Sequence, residues 1–117
     1  MKVLVKTDGH IKGSAKFTHH VETVVQNALH RFGDRITRVE VYFSDQNSGE
    51  KFGDDDKRCV MEARPAGLQP ITVSHQGASV EQALDGATDT LQKTLKRSFE
   101  RRDDPQGRKS YAGDQET

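Results

Sequence analysis

The feature that most restricts the fold is an apolar stripe in the last third of the sequence. Six side chains recur there at spacings of three or four residues: Val80, Leu84, Ala87, Leu91, Leu95 and Phe99. This is the period of an α-helix with one buried side. Ser79 before the stripe and Gln82 three residues later form the pattern of a capping box. Such a helix cannot bury its stripe alone, so the rest of the chain must supply an apolar surface.

A second helical stripe lies nearer the N-terminus. It consists of Phe17, Val21, Val24, Ala28 and Phe32. Thr18 is the predicted cap at its start, and Gly33 is the predicted stop at its end, where a left-handed residue suits a helix terminus. The sequence therefore predicts two amphipathic helices that need the same kind of partner.

That partner is a sheet, because the remaining segments alternate between apolar and polar residues as half-buried strands do. The predicted strands are Lys2–Lys6, Ile36–Ser44, Lys57–Arg64 and Ile71–Gln76. In the second strand, Arg38 and Tyr42 point away from the apolar side. The predicted fold class is therefore α+β, a two-layer β-α-β-β-β-α sandwich with a four-stranded sheet and two helices packed on one face.

Domain organisation follows from where apolar residues stop. Residues 1–102 form one predicted domain, and residues 103–117 hold a proline, two glycines and little to bury, so we expect a disordered tail. No apolar run approaches the roughly 18–20 residues of a membrane span. The N-terminal apolar stretch is too short for a signal peptide. We expect a cytoplasmic protein without membrane contact.

Residue types that carry chemistry are present without the spacing that chemistry needs. The five histidines show no metal-ligand spacing, and Cys59 is the only cysteine, which predicts a small buried residue rather than a reactive thiol. The acidic run Asp54–Asp56 lacks the alternating ligands of a calcium loop. We therefore expect no enzyme, no cofactor and no metal.

Charge distribution is more informative than net charge. The chain holds 18 basic and 18 acidic side chains. Residues 45–58 and 103–117 each carry a net charge of −2, which leaves +4 for the rest. On the second predicted helix, four basic residues lie on the side away from the apolar stripe: Lys93, Lys96, Arg97 and Arg101.

Two interpretations of these four cations remain open. They form a solvated helix face, or a surface that binds successive phosphates. Arg31, Arg35 and Arg38 are further basic candidates around the first helix end. Tyr42 is the only predicted exposed aromatic on the sheet, which argues against a stacking platform for single strands and favours folded RNA bound through its backbone.

Two stretches, ALHRFGDRITRVEVYFSDQN and HQGASVEQALDGATDTLQKTLKRSFERR, resemble the ribosome hibernation promoting factor and ribosome-associated inhibitor family, also called the sigma-54 modulation protein family. The resemblance covers residues 2–102 and extends to the order of elements. It resembles the short members, because we expect no dimerising domain after Arg102.

The resemblance implies a function. Such proteins bind the small ribosomal subunit in the channel for messenger RNA and transfer RNA and so inhibit translation under stress. It implies contact with ribosomal RNA and leaves ribosomal proteins open as further partners, with the contacts made by Lys93, Lys96, Arg97, Arg101, Arg31, Arg35 and Arg38. It also implies a monomer away from the ribosome.

A second hypothesis comes from a different class of protein. The zero net charge and the acidic stretch through Asp54–Asp56 are compatible with a family-fold protein that acts as a protein–protein interaction module without ribosome binding.

Overall fold

The computed structural model describes residues 1–9, 11, 13–45 and 57–103. Its elements, in chain order, are β1 (Lys2–Thr7), α1 (Ala15–Leu29), a 3-10 segment (His30–Arg35), β2 (Ile36–Asp45), β3 (Lys57–Pro65), β4 (Ile71–Gly77) and α2 (Val80–Asp103). This confirms the predicted fold class and all four predicted strands.

The sheet has the strand order β1-β2-β3-β4. β1 runs parallel to β2, with α1 in the crossover between them, whereas β2, β3 and β4 form an antiparallel meander. A parallel pair requires such a crossover because its strands start at the same edge. The register places Lys2 beside Arg38 and Arg38 beside Arg64.

The core lies between the helices and one face of the sheet. The strands contribute Val39, Val41, Phe43, Cys59, Met61 and Ala63, and the helices contribute Val21, Val25, Leu29, Leu84, Leu91 and Leu95. All of these side chains are fully buried or nearly so. Phe17 of α1 packs edge-on against Phe43, with ring centroids 5.1 Å apart. The opposite face of the sheet carries mostly polar and charged side chains, with Leu4 and Val60 among them.

The first helix begins and ends earlier than its sequence predicts. Ser14, rather than Thr18, is the cap, because its Oγ accepts a hydrogen bond from the backbone N–H of Phe17 at 3.1 Å. The α-helix stops at Leu29, and the stripe residue Phe32 is buried from the 3-10 segment instead. Gly33 lies inside this segment with φ 57° and ψ −131°, so it forms a kink there rather than the left-handed C-terminal stop that the sequence predicts.

The second helix begins as its sequence predicts. The backbone N–H of Gln82 donates to Ser79 Oγ at 3.1 Å, and Gln82 Oε1 accepts from the N–H of Ala78 at 3.0 Å. The helix extends through Asp103, one residue into the predicted tail. The remainder of that tail and the acidic run Asp54–Asp56 lie outside the described residues. Neither described helix combines the length and apolarity that crossing a membrane requires.

The single thiol lies in the core. Cys59 has no solvent exposure, and burial raises its pKa to about 12. A thiol in this state is a poor nucleophile at neutral pH. We expect native protein to react with an aromatic disulfide reagent only at the rate of global opening, and urea-unfolded protein to react at once. Immediate reaction of the native protein would contradict this placement.

Candidate functional site

The four predicted cations of α2 share one exposed side of the helix. Leu91, Leu95 and Phe99 face the core, and Lys93, Lys96, Arg97 and Arg101 point outward; we call these four residues the basic α2 face. The side chains of Lys93 and Lys96 are 72% and 56% exposed. Helical periodicity thus places four cations within reach of a single partner surface.

Two of these cations have acidic neighbours on the same helix. Lys93 Nζ lies 3.1 Å from Asp89 Oδ2, and Lys96 Nζ lies 3.9 Å from Glu100 Oε2. Exposed pairs at this spacing contribute only about 0.3–0.5 kcal/mol. Within residues 57–103 and the other described ranges, no ion pair joins Arg97 or Arg101. A phosphate therefore has little existing interaction to displace from this face.

Arg35 has a different environment. Its guanidinium lies over the Phe99 ring, 3.8 Å from the centroid, and donates to Asp103 Oδ2 at 2.9 Å. This hydrogen bond is the main reason that the pKa of Asp103 lies below its usual range. Arg35 thus connects the 3-10 segment to the end of α2. Arg102 connects the end of α2 to the turn after β3, because its Nη1 donates to the carbonyl of Ala66 at 2.9 Å.

The structure brings Arg31 to the same end of the molecule. Its guanidinium lies 5.1 Å from the centroid of the Phe32 ring, and Phe32 packs on Phe99 with ring centroids 5.6 Å apart. Arg31 and Arg35 therefore lie near Phe99 in the C-terminal turns of α2, whereas Arg101 lies on another side of the helix, beside Leu68 and Ile71.

Arg38 lies apart from the other predicted residues. It belongs to the sheet face that points away from the helices, where it pairs with Glu40. Its neighbours on that face include Lys2 and Arg64, which the sequence interpretation did not select. Strand alternation alone could have placed Lys2 and Arg64 on this face. That they lie beside Arg38 depends on the register between strands.

The structure shows no metal-binding group of side chains in the part of the chain that it describes. There, no three His, Cys, Asp or Glu side chains are placed to hold a metal ion. His20 instead joins the two helices, with its Nε2 3.0 Å from both carboxylate oxygens of Glu81. His20 therefore makes a structural contact between α1 and α2.

Two solved structures resemble this fold. The N-terminal domain of Thermus thermophilus Protein Y superposes with a TM-score of 0.66 at 20% sequence identity, covering 84% of this chain and 99% of that one. A ribosomal subunit interface protein from Coxiella burnetii gives a TM-score of 0.65 at 16% identity, covering 86% and 99%. At these identities the similarity establishes a shared fold.

Family membership comes from the sequence itself. No curated protein matches the sequence closely enough to count as a relative. The model of one family, however, matches residues 5–103, a stretch that contains the second half of β1 and every later element through α2. This match confirms the resemblance found in the sequence. The chain belongs to the Sigma 54 modulation protein / S30EA ribosomal protein family.

Proposed function

We propose that the protein binds the small ribosomal subunit in the channel for messenger RNA and transfer RNA, and inhibits translation by occupying it. The family description names a ribosomal protein, and one structural neighbour is a ribosomal subunit interface protein. A protein with this role acts by occupancy, so it makes and breaks no covalent bond. Its place of action is the cytoplasm, and we propose that it is a monomer when unbound.

The basic α2 face is the observation that carries the proposal. RNA affinity derives largely from cations that replace counterions along the phosphate backbone. The face presents four cations on a rigid helix, and Arg31 and Arg35 add two cations near Phe99 in the C-terminal turns of α2. Arginine is well suited to this contact because its guanidinium donates two parallel hydrogen bonds to one phosphate.

The zero net charge of the whole chain does not oppose RNA binding. The described residues hold 14 basic and 11 acidic side chains, a net charge of +3. Residues 46–56 carry four of the remaining acidic side chains and only one basic one. The described residues are therefore net positive, and the acidic excess belongs to other parts of the sequence.

A salt series tests the proposal. Purified protein is pelleted with small ribosomal subunits at rising salt concentration. With four phosphate contacts, affinity should fall about 50- to 150-fold between about 50 and about 200 mM salt. Absence of pelleting at the lowest salt would contradict the proposal, and so would binding that salt does not change.

The protein–protein interaction hypothesis predicts a different result. A purely protein partner would survive ribonuclease treatment of a cell extract, and its binding would weaken when Asp54–Asp56 are neutralised. A partner lost on ribonuclease treatment would exclude that hypothesis.

A further inference from the structure

We propose that the face of the sheet opposite the helices is a second surface for RNA backbone. This open face carries the polar side chains of β1, β2, β3 and β4. The proposal rests on the proposed function in taking RNA as the partner. It places RNA on two opposite sides of the domain, with the basic α2 face on one side and the open face on the other.

Strand register assembles three cations in a row. Arg38 of β2 has Lys2 of β1 directly beside it on one side and Arg64 of β3 on the other. Adjacent strands lie about 4.8 Å apart, and like charges directly opposite each other destabilise a sheet. The row therefore costs stability, and a polyanion bound across it would remove that cost.

Acidic neighbours neutralise the positive charge of the row formed by Lys2, Arg38 and Arg64 only in part. In the next row along the strands, Glu40 pairs with Arg38, and its other oxygen lies 3.8 Å from Lys6 Nζ. Glu62 lies 3.7 Å from Arg64. Among the described atoms, Nε of Arg38 is buried without a hydrogen-bond partner, so its pairing with Glu40 leaves the guanidinium incompletely satisfied.

The open face also has the larger excess of positive charge. It carries five basic residues against two acidic ones: Lys2, Lys6, Arg38, Arg58 and Arg64 against Glu40 and Glu62. The described helical segments hold eight basic and seven acidic side chains. The sheet face thus contributes +3 and the helical layer +1. An ordinary solvated face, by contrast, mixes the two signs evenly.

Tyr42 gives this face an aromatic contact. It is 42% exposed, and the register places it between Lys6 and Val60. A tyrosine beside a lysine suits an RNA backbone, because the hydroxyl can donate to a phosphate oxygen while the ammonium binds the same phosphate. Successive phosphates of RNA match a row of cations that spans three strands, which favours RNA over an acidic protein as the occupant.

Lys2→Glu is the decisive variant because stability and RNA binding should change in opposite directions. A glutamate at position 2 would pair with Arg38, so the Tm should rise by about 1–3 °C. Affinity for protein-free ribosomal RNA of the small subunit, measured by filter binding, should fall about tenfold, with the salt slope reduced by about 1. Lys16→Glu is the matched control, since it makes the same charge change at an exposed position in the first turn of α1.

The outcomes separate this inference from the proposed function. Equal RNA affinities and salt slopes for the Lys2→Glu and Lys16→Glu variants would overturn it, whatever the subunit-pelleting experiment gives. A loss of affinity for intact subunits alone, with protein-free RNA bound normally, would assign the face to a ribosomal protein and also overturn it. If Lys2→Glu lowers the Tm, the neutral double variant Lys2→Gln/Arg64→Gln takes its place, with the same expected loss of RNA affinity.

Discussion

Replacement of both Lys96 and Arg97 by glutamate is expected to abolish co-sedimentation with small ribosomal subunits and to leave the fold intact. Each substitution removes one phosphate contact and introduces a repulsive charge. Hydrogen bonds to charged groups contribute about 1.5–3 kcal/mol each, so affinity should fall at least about 100-fold. Both side chains are exposed on α2, and among the described residues the only ion pair affected is the 3.9 Å contact of Lys96 with Glu100.

A comparison of single variants controls for net charge. Arg97→Glu and Lys16→Glu change the charge equally, each on an exposed helical position, but only Arg97 belongs to the basic α2 face. Arg97→Glu should weaken pelleting and reduce the slope of log affinity against log salt concentration by about 1. Lys16→Glu should bind almost as wild type does. If the folded double variant pelleted as wild type does, the basic α2 face would be a solvated helix face that does not bind RNA.

The second large effect concerns stability. Phe99→Ala is expected to cost about 3–5 kcal/mol, the range for removing a buried phenyl ring. Phe99 is 3% exposed, and it packs on Phe32 and lies beneath the guanidinium of Arg35. A domain of this size has a total stability of about 5–15 kcal/mol, so the Tm should fall by about 15–30 °C. Urea or thermal unfolding followed by circular dichroism measures the change.

Tyr42→Ala is the matched control for this loss. It removes an aromatic ring from the open face of the sheet, where the side chain is 42% exposed. Its cost should stay below about 1 kcal/mol. Equal destabilisation by the two variants would contradict the burial of Phe99 against Phe32 in the core.

Most of the fold could be predicted because its elements are long and strongly periodic. The stripe of α2 and the alternation of β2 each have one physical interpretation. The cap of α1 was missed because Ser14 and Thr18 are chemically similar candidates four residues apart. The pairing of β1 with β2 was not predictable from either strand, since it depends on how α1 crosses the sheet.

The candidate site was less predictable, because charge on one element says little about what approaches it. The basic α2 face follows from helical period alone, and the structure keeps it exposed. Arg35 looked equally available in the sequence, yet Asp103 and Phe99 engage it from 64 or more residues away. Alternation within β2 already placed Arg38 on the sheet side away from the core, but its row with Lys2 and Arg64 exists only through the register of three strands.

The position of α2 after all four strands in the sequence also affects how the domain folds during synthesis. A nascent chain emerges from its N-terminus, so the meander of β2, β3 and β4 is synthesised before the helix that covers it. Until residues 80–99 have emerged, Val41, Met61 and their neighbours present an uncovered apolar sheet. Intermediates of this kind are prone to aggregate. Chains that stall before Phe99 should therefore require a chaperone, because the sheet lacks its second helix until α2 has emerged.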